Sequence, residues 1–422
     1  MKQILFFICC AVLLTACKKD EEKNTPTIAE RTVMVYMSGD NSLSSVVAED
    51  VNEMKQGASG IPQNCNLVVF MDRDIRSEKP FIAKITREAK LDTLYKFTTE
   101  FYASDPDKFS EVLTQITTLC PAKEYGLVLW GHASGWVVTS DTIAQKRAYG
   151  QDTGKWMNIT QMARALEGLK DQNVLPKLSF IFADCCNMMC VENGYEFRDV
   201  TDYMIGSPAE IPGFGAPYQL VLPYLFKNGS ELYKGIIDTY YDYYADYDNL
   251  TYGEKSRWSY MEGGYSVPLS VIDTKHIGDL ADWTHDMLEQ ATGGYPQYPE
   301  SPDLTGIAFY WYADVPMMYD MRAVMERLLP ETEFKAWNAI YKQAVPYSRM
   351  SMKWMTIWDM YSIGGRLDRS FDTFDTNLEY GCVSMFIPRQ GQYYSYGNMP
   401  YDKTSINFGW NRVMDWKRFG WE

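Results

Sequence analysis

Residues 180–190 read FIFADCCNMMC and set Cys185, Cys186 and Cys190 at the end of an apolar run. A cysteine attacks or ligates as its thiolate, so its neighbours decide its use. Three histidines are present, His132, His276 and His285, and the first follows another apolar run, GLVLWGHASGW. A histidine beside a thiol favours its ionisation and can protonate a leaving amine. The glycine-rich GHASG turn leaves backbone N–H groups for a developing oxyanion. A Cys–His nucleophilic site is one reading of these residues. A core histidine with buried cysteines is the other, and composition leaves both open. Zinc is disfavoured, because adjacent cysteines diverge and the chain has no Cys-x-x-Cys pair. The acids of MDRDI, Asp72 and Asp74, lack the calcium-loop pattern and read as turn or cap residues. His276 and His285 receive no role.

Positioning such residues takes strands and helices. RTVMVYM, CNLVVFM, YGLVLW, KLSFIFA and DYMIGS are short apolar runs of strand character. Between them, SDPDKFSEVLTQITTL and MNITQMARALEGLKD repeat apolar residues at helical spacing. NMMCVENGYEFRDV reads as a further helix, from about Asn187, whose amide groups would face the cysteines. Runs apolar on both faces, separated by helices, predict an α/β fold with a covered parallel sheet. In such sheets ligands bind beyond the carboxyl ends of the strands, where His132 and the cysteines fall. The later YSVPLSVIDT, DLADWTHDMLEQA, TGIAFYWY and YGCVSMFIP follow no linker, so they complete the core or pack on it.

The chain has 422 residues, a net charge of -15, 46% hydrophobic and 23% charged residues. That is a globular composition, and the acidity excludes a nucleic-acid partner. MKQILFFICCAVLLTAC is a secretory signal. Its Leu-Thr-Ala-Cys ending resembles a bacterial lipobox that would lipidate Cys17. The acidic KKDEEKNTPTIAE after it reads as a disordered tether and resembles the surface-export signal of Bacteroidetes lipoproteins. The expected divisions are signal peptide 1–16, tether 17–29, catalytic core 30–250 and C-terminal part 251–422. The six remaining cysteines are too sparse and clustered for a disulfide scaffold.

GLVLWGHASGW followed by FIFADCCNMMCVENGYEF resembles the two signature blocks of the clostripain family of cysteine peptidases. MVYMSGDNSL, IPGFGAPY and GCVSMFIP resemble further blocks, in the family's order, over residues 30–390. The resemblance implies a caspase-like fold, with a parallel-dominated sheet between helices, and an exported, lipid-anchored endopeptidase at the outer-membrane surface. It assigns Cys186 as nucleophile, His132 as its partner, and the N–H groups of Ala133 and Cys186 as oxyanion donors. Asp184, Ser207 and Glu210 are implied to bind an Arg or Lys side chain of the substrate. Lys146 or Arg147, in QKRAYG, is implied as a self-cleavage point. No cofactor is required and no metal ligand is assigned, calcium being an option that some relatives use. The expected partners are protein or peptide substrates, with membrane contact through the lipid alone and a monomeric chain. Two departures stand out. Ala133 occupies a position that is usually Gly, where a methyl group would crowd a positive φ. Pro208 and Ala209 stand where acidic residues usually follow the serine. A peptidase fold that binds peptides or glycans without cleaving them is the alternative reading.

Overall fold

Strands that are apolar on both faces need cover on both faces, and β1 (Ala29–Gly39) is buried at every residue but Glu30. The computed structural model describes residues 27–137, 149–246, 266–292, 303–311, 318–354, 374–387, 395–396, 399–400 and 408–416. Cys17, Lys146 and Arg147 lie outside these residues. After β1 come β2 (Cys65–Arg73), β3 (Phe81–Ile85), β4 (Leu91–Lys96) and β5 (Ala122–Trp130). The small hairpin of β6 (Tyr149–Asp152) and β7 (Lys155–Met157) precedes β8 (Leu178–Asp184) and β9 (Thr201–Gly206). Further on are β10 (Leu269–Asp273), β11 (Tyr319–Asp320), β12 (Tyr347–Arg349) and β13 (Ser384–Met385).

Nine of these strands form one sheet in the order β12-β10-β9-β8-β5-β1-β2-β3-β4. Its five central strands, β9 to β2 in that order, run parallel. Antiparallel strands flank them on both sides, β3 and β4 at one edge, β10 and β12 at the other. The edge pair β3–β4 was not expected from the sequence, because LDTLYK has almost no buried residue to set a pattern. Strands β10 and β12 bring residues beyond 251 into the same sheet.

Helices α1 (Ser44–Gln56), α2 (Pro106–Leu119), α3 (Ile159–Asp171), α4 (Val191–Glu196), α5 (Tyr218–Val221) and α6 (Gly229–Ala245) accompany the central strands. The later helices are α7 (Ile277–Thr292), α8 (Met321–Leu328), α9 (Glu331–Ala344) and α10 (Gly409–Met414). Helix α2 shows how the sequence fixes one of them. The Asp105 carboxylate accepts from the N–H groups of Asp107 and Lys108, Pro106 opens the first turn, and Phe109, Val112, Leu113 and Ile116 are buried. Each such side chain contributes roughly 1.5–3 kcal/mol. Residues of α1, α5 and α6 fill the core on one sheet face, and those of α2, α3, α4 and the later helices fill the other.

Candidate active site

The last paired residues of β5 and β8 are Trp130 and Asp184, which face each other across parallel strands. His132 and Cys186 each stand two residues past that pair, on neighbouring loops of one sheet edge. The chain leaves β1 toward β2 on one side and returns as β5 on the other. Loops diverge at such a switch point and open a crevice. The two loops meet at Gly135, whose φ of +62° suits glycine and where a Cβ would stand 2.5 Å from the Asn187 carbonyl oxygen.

His132 is fixed at both its backbone and its ring. Gly150 N–H donates to the His132 carbonyl at 2.8 Å, and the Trp156 ring centre lies 6.4 Å from the imidazole. Ser42 Oγ is 2.9 Å from His132 Nε2 across the β1–β5 crevice. Asn41 braces this serine: its side chain donates to the carbonyls of Ser38 and Gln151 and accepts from Leu43 N–H. Gly131 makes the turn out of β5 at a φ of +142°, where a Cβ would press on the Ser38 carbonyl at 2.9 Å. Ala133 is not among the described non-glycine residues of positive φ, so its methyl group meets no conformational penalty there. The crowding expected at Ala133 therefore does not arise, and the special φ values fall on Gly131 and Gly135.

Burial separates the three thiols. Cys185 and Cys190 are buried, and loss of solvent pushes both well above the usual thiol range. Cys186 is half-buried, and Ile211 N–H donates to its Sγ at 3.5 Å. The helix expected from about Asn187 begins only at Val191. Asn187 instead has a φ of +58°, and the N–H groups of Asn187 and Met189 donate to the carbonyls of Ala209 and Ser207. Cys190 is the residue before the first turn of α4. The Cys186 loop is thus held by neighbouring loops and not by a helix N-terminus. The Asn187 side-chain amide donates to the carbonyls of Pro208 and Tyr310. Behind it, Ser384 N–H donates to the Met189 carbonyl and Phe386 N–H to Glu192 Oε1. Burial pushes Glu192 up to about 7.

The residues expected to meet substrate are placed unequally. Glu210 adjoins Ile211, whose N–H donates to Cys186 Sγ, and is 9% exposed. Asp184 is 2% exposed and already accepts from Ala216 N–H, Tyr218 OH and Tyr240 OH. Burial raises its pKa to about 6 against the pull of those donors. Ser207 is fully buried, and its Oγ accepts from Ala209 N–H. Strand alternation turns Asp184 toward α5 and α6, and Ser207 braces its own loop, so both side chains are buried. Ser42, Asn187 and Tyr310 escaped the sequence reading. Only the GDNS turn after β1 carried a signal for Ser42, as a polar residue at the same strand edge.

Among the described residues, no helix is long and apolar enough to cross a membrane. The sequence model of the clostripain family matches residues 35–415. Among solved structures, the chain is similar to a secreted C11 cysteine protease of Bacteroides thetaiotaomicron in complex with an irreversible peptide inhibitor. The identity is 29% and the TM-score 0.73, over 92% of this chain and 99% of that one. A second secreted C11 protease of that organism, iotapain, is 19% identical with a TM-score of 0.70, over 92% and 100% of the two chains. An inactive zymogen of a C11 protease from Parabacteroides distasonis is 24% identical with a TM-score of 0.69, over 92% and 99%. These last two likenesses bear on the fold. A comparison with curated proteins finds no match.

Proposed function

Because this chain belongs to the clostripain family of cysteine proteases and is a peptide-bond hydrolase, we propose that Cys186 and His132 form its catalytic pair. The observation that carries the reading is the Trp130–Asp184 register, which sets both residues at one sheet edge on loops joined through Gly135 and Asn187. The differing burial of the thiols supports Cys186, the one of the three that solvent and substrate can approach. The thiolate attacks the peptide carbonyl, and the N–H groups of Cys186 and Ala133 hold the oxyanion. His132, with Nε2 facing Ser42, protonates the leaving amine. Water then attacks the thioester, giving its proton to His132, and the acid product leaves with the thiol restored.

The preference is for Arg or Lys before the scissile bond, and Glu210 is its main selector. A substrate cation entering an enclosed site needs a carboxylate partner. Glu210 stands beside Ile211, whose N–H donates to Cys186 Sγ. The N-terminal sequence supports export and a lipid anchor at Cys17, and the secreted Bacteroides relative accords with export. Peptides are the partners, as the inhibitor bound to that relative indicates. Lys146 or Arg147 is the proposed self-cleavage point.

A panel of peptides varied at the cleavage position, run with the wild type, Cys186→Ala and Glu210→Gln, tests this reading. Cys186→Ala is expected to abolish turnover, and Glu210→Gln to reduce kcat/KM for Arg and Lys substrates at least ~10-fold against neutral ones. Undiminished cleavage by Cys186→Ala ends the catalytic assignment. An unchanged preference in Glu210→Gln ends the selector assignment.

A further inference from the structure

Cys186 is followed by a residue to which the proposed chemistry gives no role. Asn187 is buried at a φ of +58°, a left-handed conformation that asparagine tolerates better than most residues. Its N–H donates to the Ala209 carbonyl, and its side-chain amide donates to the carbonyls of Pro208 at 2.9 Å and Tyr310 at 3.2 Å. Pro208 and Ala209 lie in the loop after β9, whereas Tyr310 is 123 residues further along the chain than Asn187. One side chain thus bridges the two stretches that flank the Cys186 loop. Met189 is shared between the same two sides, since its N–H donates to the Ser207 carbonyl and its carbonyl accepts from Ser384 N–H.

The far side of this bridge is built round Asp320. Its carboxylate accepts from Tyr310 OH at 2.7 Å and from the N–H groups of Ala323, Gly381 and Cys382. Asp320 and Tyr310 are both fully buried, and one carboxylate ties together three separate stretches of chain. Tyr310 N–H also donates to the Met318 carbonyl, and Asp320 N–H to the Ala308 carbonyl, so the carbonyl that receives the Asn187 amide is held in place. A nucleophile takes its direction from the backbone beside it, and a displacement near 1 Å costs about 10²-fold in rate. We propose that Asn187, pinned through Tyr310 to the clamp round Asp320, is a positioning residue that holds the Cys186 thiol toward His132, which rests on the reading of Cys186 as the nucleophile.

Two variants of the full chain test the pin. Asn187→Gly keeps the left-handed backbone and removes only the amide, and Tyr310→Phe removes only the hydroxyl that reaches Asp320. Steady-state kinetics on a peptide amide give kcat and KM. Alkylation of Cys186 by iodoacetamide against pH, read by mass spectrometry, reports the thiol without turnover. Asn187→Gly should lower kcat at least ~10-fold with KM within about twofold. Its alkylation profile should move to higher pH, because a thiol drawn away from His132 ionises less readily. Tyr310→Phe should lower kcat about threefold by itself and add nothing to Asn187→Gly, since two changes on one path are not additive. Wild-type kcat and an unmoved alkylation profile in Asn187→Gly, even with a lowered melting temperature, would overturn the proposal. Losses from the two variants that add in full would overturn the route through Tyr310. Should Asn187→Gly not fold, an unchanged kcat in Tyr310→Phe would overturn it equally. Turnover that survives Cys186→Ala would instead end the catalytic assignment, a result the alkylation profile keeps separate from the placing of the thiol.

Discussion

A low-polarity surrounding raises the cost of a thiolate, and Cys185 and Cys190 lie in such a surrounding while Cys186 does not. The sequence alone could not rank these thiols, because burial is a property of the loops around them. Family spacing pointed to Cys186, and the packing gives an independent physical reason. At this scale Ser42 is the unexpected residue, because its hydroxyl is within hydrogen-bond reach of His132 Nε2. In the proposed reaction, holding that nitrogen orients the ring and stabilises the imidazolium. Ser42→Ala should therefore cost ~1 kcal/mol in the transition state, or roughly a five- to tenfold loss in kcat with little change in KM. The alkaline limb of the pH–rate profile should move to lower pH, and Ser42→Thr should restore it. A profile unmoved by Ser42→Ala, measured with a peptide ester or amide, would leave the hydroxyl no part in positioning.

Helix α4 teaches the lesson at the scale of elements. Its sequence pattern reached back to Asn187, yet the helix starts at Val191, because residues 187–189 bond to the loop after β9. Long-range partners outbid local helix propensity where they satisfy the same backbone groups. The Cys186 loop is consequently positioned by contacts among loops, Gly135 among them. Gly135→Ala would place a methyl group 2.5 Å from the Asn187 carbonyl at a φ of +62°. The expected outcome is a drop in kcat of at least ~10-fold with the chain still folded, since a shift near 1 Å misplaces the thiol. Circular dichroism with steady-state kinetics checks it. Wild-type kcat in the folded variant would mean that the loop contact does not position Cys186.

For the whole molecule, buried carboxyls couple stability to pH. Burial holds Asp184 near 6 and Glu192 near 7, whereas both titrate near 4 in the unfolded chain. Between about pH 4 and pH 7 the folded chain therefore binds more protons than the unfolded one, and stability falls as pH rises through that window. Calorimetry should show a melting temperature lower at the upper end by on the order of 5 °C, and Glu192→Gln should flatten the slope. A melting temperature that climbs across the window in the wild type would contradict this. The five parallel strands, α2 and α3 were legible as apolar runs and helical repeats, because their partners lie on both faces and leave a periodic trace. The sequence also placed His132 and the cysteine block just past apolar strand runs, since strand ends are local. Only the tertiary structure decided the antiparallel edges, the late start of α4, the withdrawal of Asp184 into the core and the approach of Ser42 to His132. Each depends on groups far apart in the chain that compete for the same hydrogen bonds and the same space, and no local pattern records that competition.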